Sequence, residues 1–289
     1  MPFVRVSEGE LYHHRVGTGL PLVLVNEWPF SHRYWAPLAE RLARAYEVIA
    51  FDPRGLGRSR SFAATAAYDV EGVAEDIHEL VTALGLGEVH LVAHGLGAIP
   101  AVLCLQLHPQ DVRTVTLLNP VPGPASSSRV EEYIASAQWL LLLRSFAAVP
   151  LVRALLFRRY ALGRLPTAYQ RLLAEDLLQI DARAAWEMVH SATEEIILRR
   201  FCATLFECRR PILLVACRRD GWAAVETARW LFERIHSGRL VTLASPAHFP
   251  MLEAPRDSER GAHRVLQDGR CVINSPNSAE RRTSARERF

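Results

Sequence analysis

The segment LVAHGLGAIP, residues 91–100, decides the fold. An apolar run, LVA, leads into His94, Gly95, Leu96 and Gly97, and a second apolar run follows at once. This layout is typical of a sharp turn from a strand into a helix, in which the central residue presents a nucleophilic side chain. Gly95 stands at the central position of this turn, and it has no side chain.

Strands predicted on both sides of this segment are continuous apolar runs, as expected for strands that are buried on both faces of a sheet. They are residues 21–26, 46–52, 88–94, 112–119, 211–220 and 239–245. Segments with the apolar period of a helix separate most of these strands, for example residues 70–86. The alternation predicts an α/β protein with a doubly wound, mainly parallel sheet.

One stretch interrupts the alternation of strands and helices. Proline, glycine and serine fill much of residues 119–128, and only helical patterns follow until the strands resume. This pattern predicts a helical lid inserted into the core. We therefore divide the chain into an α/β core at 1–120 and 207–269, a helical lid at 121–206, and a tail at 270–289. The tail is polar and rich in arginine, and we expect it to lack stable structure.

The composition excludes several classes of function. The chain has 289 residues, a net charge of +3, and 34 basic residues that are all arginine. The small net charge gives no sign of nucleic-acid binding, and the absence of lysine excludes a cofactor held as a Schiff base. The five cysteines are scattered, so neither a metal site nor a disulfide framework is expected. Without a signal-peptide pattern or a long apolar run, we expect a soluble cytoplasmic protein with no membrane partner and no cofactor.

Five separated motifs resemble those of the α/β-hydrolase family, between about residues 10 and 256. They are VNEWPFSHRYW (25–35), FDPRGLGRS (51–59), VAHGLGA (92–98), LLVACRRD (213–220) and SPAHFPMLEAP (245–255). The family carries its nucleophile, its acid and its histidine in that order along the chain, and these motifs keep the order. The resemblance implies an α/β-hydrolase core with an inserted helical lid.

The resemblance also implies roles for five residues. Asp220 falls where the family has its acid, and His248 falls where it has its histidine. The backbone N–H groups of Leu96 and Trp28 fall where the family binds the oxyanion of its substrate. His94 lies beside the nucleophile position, and we expect it to support packing there.

Two departures from the family pattern fall on the chemistry. Gly95 replaces the nucleophile, so no covalent intermediate can form at that residue. Asn26 and Glu27 replace the His-Gly pair of the family. Two orientations of Glu27 stay open: the carboxylate could turn aside to solvent or to an arginine, or it could point inward as a second acid–base group with a raised pKa.

The surviving residues predict acid–base chemistry without a covalent intermediate. Asp220 would orient the ring of His248, and His248 would act as general base in a reaction of the lyase, cyclase, isomerase or water-activating type. The substrate would be a small, largely apolar carbonyl compound, and Glu27 would be the partner acid. The residues expected to line the substrate pocket are Phe30, Trp139 and Trp186.

Two other functions stay open at this point. One is a non-catalytic protein that binds a ligand or a protein partner. The other is an ordinary hydrolase disabled by substitution at Gly95, against which the altered Asn26-Glu27 pair argues. An enclosed site that holds both Glu27 and His248 would favour the enzyme. The substrate and the oligomeric state stay open.

Overall fold

The computed structural model describes residues 2–62, 67–120, 127–159, 165–220, 225–244, 248–256 and 258. The predicted tail at 270–289 lies outside the described residues. The strands are β1 (Phe3–Val6), β2 (Gly9–Val16), β3 (Leu20–Val25), β4 (Tyr46–Phe51), β5 (Arg60–Ser61), β6 (Val89–His94), β7 (Val112–Leu118), β8 (Ile212–Cys217) and β9 (Gly238–Leu243). They form one sheet in the order β1-β2-β4-β3-β6-β7-β8-β9, with β5 paired to β2.

The middle of the sheet is parallel. β3 pairs with β4 and β6, and parallel pairing continues through β7 and β8 to β9. β6 and β8 are buried along their whole length, as expected for strands that are covered on both faces. β1, β2 and β5 add an antiparallel edge to the sheet. The predicted α/β class with a doubly wound, mainly parallel sheet is confirmed.

Parallel pairing brings the carboxyl ends of the central strands to one edge of the sheet. The register pairs Val25 of β3 with Ala93 of β6 at this edge. The loops that follow β3, β6 and β8 carry Glu27, Gly95 and Asp220. In open α/β sheets the carboxyl ends of the strands are the place where ligands bind.

The helices follow the order that the sequence predicts. They are α1 (Ala36–Leu42), α2 (Val70–Ala83), α3 (Ala98–Leu107), α4 (Ser127–Leu143), α5 (Pro150–Arg159), α6 (Thr167–Gln179), α7 (Ala182–Ala192), α8 (Glu195–Glu207), α9 (Val225–Phe232) and α10 (Pro250–Glu253). Helices α4 to α8 lie between β7 and β8 in the chain, and we call them the helical insertion. Within the insertion, α8 packs against α3, and α7 packs against α2 and α4. No described helix is long and apolar enough to cross a bilayer.

A buried polar contact ties the helical insertion to the loop that follows β3. Asp176 of α6 accepts hydrogen bonds from the backbone N–H and the hydroxyl of Ser31, each at 2.9 Å. The guanidinium of Arg33 also donates to Asp176, at 2.6 Å. Because the same loop carries Glu27, this contact fixes the insertion beside the edge of the sheet where the candidate residues meet.

Candidate active site

The turn after β6 holds Gly95 in the left-handed region of backbone conformation, with a φ of +52°. Glycine adopts this conformation at the lowest steric cost, because it has no Cβ. Residues Gly95–Gly97 form one short 3-10 turn, all three are buried, and α3 begins at Ala98. The strand, turn and helix predicted from LVAHGLGAIP are therefore present.

Glu27 fills the space that a side chain at position 95 would occupy. A Cβ built on Gly95 would lie 1.2 Å from Oε2 of Glu27, a separation that two unbonded atoms cannot have. The carboxylate reaches this place from the loop after β3, and Glu27 is only 2% exposed. Of the two orientations that the sequence left open, the structure places the carboxylate inward.

Three hydrogen bonds hold Glu27 in this position. The N–H of Leu96 donates to Oε2 at 3.0 Å, and the hydroxyl of Tyr133 in α4 donates to Oε1 at 3.3 Å. The backbone N–H of Glu27 donates to the hydroxyl oxygen of Tyr34 at 2.6 Å. Neither tyrosine was predicted as a site residue, because an apolar helical pattern does not show which of its residues lies at the edge of the sheet that carries the site.

The predicted oxyanion site is therefore changed. The N–H of Leu96 was expected to bind a substrate oxygen, but it donates to the carboxylate of Glu27 instead. That expectation is wrong for Leu96 in this arrangement, since one N–H cannot serve both acceptors at full strength. Trp28 is buried and precedes a cis peptide bond to Pro29, and its indole N–H has no hydrogen-bond partner among the described residues.

The ring of His248 lies between two carboxylates. Its Nδ1 is 2.9 Å from Oδ2 of Asp220, and its Nε2 is 3.5 Å from Oε2 of Glu27. All three residues are buried. The structure thus brings together the two residues that the sequence assigned to an acid–base pair and the carboxylate that stands in place of the nucleophile.

The two carboxylates set the charge of the histidine. Burial alone would lower the pKa of His248, but the negative charges of Asp220 and Glu27 raise it to about 10. Burial raises the pKa of Glu27, against the opposing effects of His248 and of the hydrogen bond from Leu96. Because both nitrogens of its ring face carboxylates, the protonated form of His248 is favoured.

The segment around His248 is fixed from two other strands. Asn119, at the end of β7, donates to the carbonyl oxygen of His248 at 3.0 Å and accepts from the N–H of Cys217 at 2.9 Å. His94 donates from Nε2 to the same carbonyl oxygen at 2.8 Å. Burial lowers the pKa of His94 well below its ordinary value, so this ring is neutral and has a packing role. Asn119 was predicted only as the last residue of a strand and not as a site residue.

The residues predicted to line the pocket divide into two groups. Phe30 is buried, and its ring centroid lies 5.5 Å from that of Phe249, the neighbour of His248. Trp139 is 62% exposed, and Trp186 lines a surface groove with His190. Trp186 is 37% exposed, so neither tryptophan is buried beside His248, and their place in the substrate pocket stays a prediction.

The same buried cluster was tested for its fit to a metal ion. Glu27, His94 and His248 each offer one ligand atom, and these atoms lie within 4.8 Å of one another. His94 donates from Nε2 to a backbone carbonyl, and Nδ1 of His248 faces Asp220, so Nδ1 of His94 and Nε2 of His248 are the ring atoms left for an ion. The carboxylate of Glu27 already lies against Nε2 of His248 at 3.5 Å, as an ion pair does.

Comparison with known proteins places the chain in a family. The family model described as alpha/beta hydrolase fold matches residues 20–255. The chain belongs to this family. A RutD protein of Azorhizobium caulinodans, whose name proposes carbamate hydrolysis, is 25% identical over 256 residues, which cover 86% of this chain and 91% of that protein. A fluoroacetate dehalogenase from a Burkholderia species is 31% identical over 126 residues, which cover 43% of this chain and 41% of that protein.

Solved structures show the same fold. A thermophilic esterase from Thermogutta terrifontis superposes with a TM-score of 0.78 at 19% identity, covering 92% of this chain and 98% of the esterase. A hydrolase from Pseudomonas aeruginosa superposes with a TM-score of 0.74 at 24% identity, covering 91% of this chain and 97% of that hydrolase. Given the family match over residues 20–255, the chain is an enzyme of the α/β-hydrolase fold.

Proposed function

We propose that this protein is an acid–base enzyme that acts on a small, largely apolar carbonyl compound and forms no covalent bond to the turn after β6. The observation that carries the proposal is the buried row formed by Asp220, His248 and Glu27. Burying charged groups costs several kcal/mol each unless they are paired. Groups whose pKa is strongly displaced in this way are concentrated at catalytic sites.

In this proposal Glu27 takes a proton from the substrate and His248 gives one. The roles are the reverse of those expected from the sequence, and the reason is the proton on His248. His248, with its pKa raised to about 10, already holds a proton at neutral pH and cannot accept another. Glu27 is the member of the pair that carries no proton, and burial, which raises its pKa, makes it a stronger base.

The proposed step conserves every proton. A hydrogen on the carbon next to the carbonyl passes as a proton to Glu27, and the electron pair of the broken C–H bond forms an enolate. The enolate oxygen accepts the proton of His248 to give an enol, while Asp220 keeps the ring oriented. The enol then returns its O–H proton to His248, and Glu27 delivers the proton that it took. Delivery to another carbon of the substrate completes an isomerisation, delivery to a carbonyl oxygen attacked by the enol carbon completes a cyclisation, and delivery to a leaving group completes an elimination.

The surroundings of the row support an apolar substrate. Phe30, Tyr34 and Phe249 are buried beside it, with ring centroids 5.5 to 6.5 Å apart. The helical insertion contributes Tyr133, whose hydroxyl donates to Glu27. We assign the insertion the role of a lid, which excludes water from the row while the substrate is bound.

Hydrogen exchange with solvent tests this proposal. The protein is incubated in D₂O with a panel of small ketones and esters, and deuterium next to the carbonyl is measured by mass spectrometry. We expect exchange by the wild type that falls at least ~100-fold in Glu27→Gln and in His248→Gln. His190→Gln is the matched control, because this exposed histidine also pairs with a glutamate but lies in α7. Equal exchange in all variants would refute the proposal.

A second candidate function is hydrolysis through an ester of Glu27. The position of Oε2 of Glu27 favours this function. The atom occupies the space of a side chain at position 95, where the family has its nucleophile, and accepts a hydrogen bond from the N–H of Leu96. Glu27 would attack an electrophilic carbon, the leaving oxygen would take the proton of His248, and the neutral ring would then activate water to cleave the ester. Intact-mass measurement after mixing with small epoxides would reveal the ester, whereas the first proposal predicts no mass change.

The structure also bears on the two alternatives left open by the sequence. A hydrolase disabled at position 95 alone would have to place its original side chain on top of Glu27, which argues against that alternative. A non-catalytic binding protein would gain nothing from a buried charged row. If the protein only binds a ligand, Glu27→Gln should leave that binding intact, and none of the ketones and esters in the panel should exchange hydrogen.

A further inference from the structure

A second cluster of histidines and carboxylates lies where α2 meets the connection between α3 and β7. Glu75 and His78 are three residues apart on α2, so they share one face of that helix. His108 follows the last residue of α3, and Asp111 ends the short turn after it. The cluster lies outside the row of Asp220, His248 and Glu27.

The four side chains are in close contact. Nδ1 of His78 lies 2.5 Å from Oδ2 of Asp111, and Nε2 of His108 lies 3.0 Å from both oxygens of Glu75. The two imidazole rings are stacked, with centroids 3.7 Å apart and planes inclined by 3°. His78 and Asp111 are half-buried, so ordering them costs less side-chain entropy than at a fully exposed site.

We propose that these four residues form a binding site for a divalent transition metal of the zinc type. One ligand atom from each of His78, His108 and Asp111 already lies within 4.8 Å of the others. Zinc bound tetrahedrally by nitrogen and oxygen at ~2.0–2.2 Å places its ligands roughly 3.4 Å apart. Because an imidazole binds a metal in the plane of its ring, the two stacked rings must turn out of their parallel arrangement to face one ion. Glu75, which contacts His108, supplies the fourth ligand.

The charge of the donor set matches the ion. Two neutral imidazoles and two carboxylates carry a charge that balances a divalent cation, and imidazole with carboxylate is a donor set that zinc accepts. The ion would replace the direct contact between each ring and its carboxylate. It would join α2 to the α3–β7 connection and add to the stability of the core.

Titration of the full-length protein with zinc chloride at pH 7.5, followed by calorimetry, tests the site. We expect one site, which His78→Gln and His108→Gln each weaken by ~10-fold or more. His190→Gln is the matched control: His190 and Glu194 form an exposed histidine–carboxylate pair without further ligands, and zinc affinity should not change. At a hundredfold excess of zinc over the dissociation constant, the melting temperature should rise by about 5 °C.

Two results would overturn the proposal. In one, zinc does not bind, or it binds equally well to His78→Gln, and the cluster is then a pair of ordinary ion pairs. In the other, Glu27→Gln abolishes zinc binding while His78→Gln keeps it, which assigns the ion to the buried cluster of Glu27, His94 and His248. The proposed acid–base function does not enter either outcome.

Discussion

Replacing Gly95 by alanine perturbs the site at its most crowded point. The added Cβ meets Oε2 of Glu27 at 1.2 Å, and Gly95 has a φ of +52°. The first effect expels the carboxylate from its place, and the second strains the backbone. Both effects destabilise the folded protein, and they can be separated because only the first depends on Glu27.

The magnitude follows from the contacts. A non-glycine residue in the left-handed region costs ~1–2 kcal/mol. Expelling the carboxylate leaves the buried N–H of Leu96 without its acceptor, which costs a further ~1–3 kcal/mol. We therefore expect Gly95→Ala to lower the free energy of unfolding by ~2–5 kcal/mol. In a Glu27→Ala background only the strain remains, so the same substitution should cost ~1–2 kcal/mol.

Urea unfolding followed by circular dichroism measures the four corners of this double-mutant cycle. Gly85→Ala is the matched control, because Gly85 has a φ of +62° and a Cβ there would have no atom of the described residues within 4 Å. It should cost ~1–2 kcal/mol, with or without Glu27. The reasoning fails if Gly95→Ala costs no more than Gly85→Ala, or if its cost is unchanged when Glu27 is absent.

Three further predictions concern the surroundings of the row. Asp176→Ala should lower the free energy of unfolding in urea by ~1–3 kcal/mol, because the buried N–H and hydroxyl of Ser31 lose their acceptor. The charged ring of His248 stabilises the folded protein, and this contribution is fully present below pH 6.5, the ordinary pKa of histidine in the unfolded chain. The contribution should be lost as the pH rises to about 10, the pKa in the folded protein. Unfolding measured against pH should show this slope in wild type and not in His248→Gln. Tyr133→Phe should raise the pKa of Glu27 and speed the exchange of substrate hydrogen by up to about fivefold, because a hydrogen bond of ~1 kcal/mol that stabilises the charged carboxylate is removed.

Each of these predictions has an outcome that contradicts it. An Asp176→Ala variant as stable as wild type would mean that the contact to the helical insertion is not maintained in solution. Equal slopes for wild type and His248→Gln would place the proton elsewhere. A Tyr133→Phe variant with unchanged exchange but a lower melting temperature would give that hydroxyl a structural role only.

The fold could be predicted from the sequence because its signals are local and repeated. Buried parallel strands read as continuous apolar runs, and the segment around Gly95 fixes where one of them turns into a helix. The resemblance to the α/β-hydrolase family implied that Asp220 and His248 would meet, and their side chains lie 2.9 Å apart.

The arrangement of the site could not be predicted in full, because it depends on contacts between distant segments. The sequence showed a missing side chain at position 95 and an extra carboxylate at position 27, but only packing brings the two to one point. Tyr133 reaches Glu27 across 106 residues, and no periodicity marks it. Trp139 was chosen for the substrate pocket by residue type alone, and residue type does not determine exposure: this side chain is 62% exposed.

The most direct measurement of the central claim, that Glu27 stands in the place of the nucleophile, is the release of p-nitrophenol from p-nitrophenyl acetate by two variants. Gly95→Ser alone should be inactive, because its side chain and Glu27 compete for one space. Combining it with Glu27→Gly, which restores the glycine of the family pattern, should produce esterase activity with an acetylated intermediate visible by intact mass. Equal activity of the single and the double variant, or a folded double variant that stays inactive, would contradict the claim.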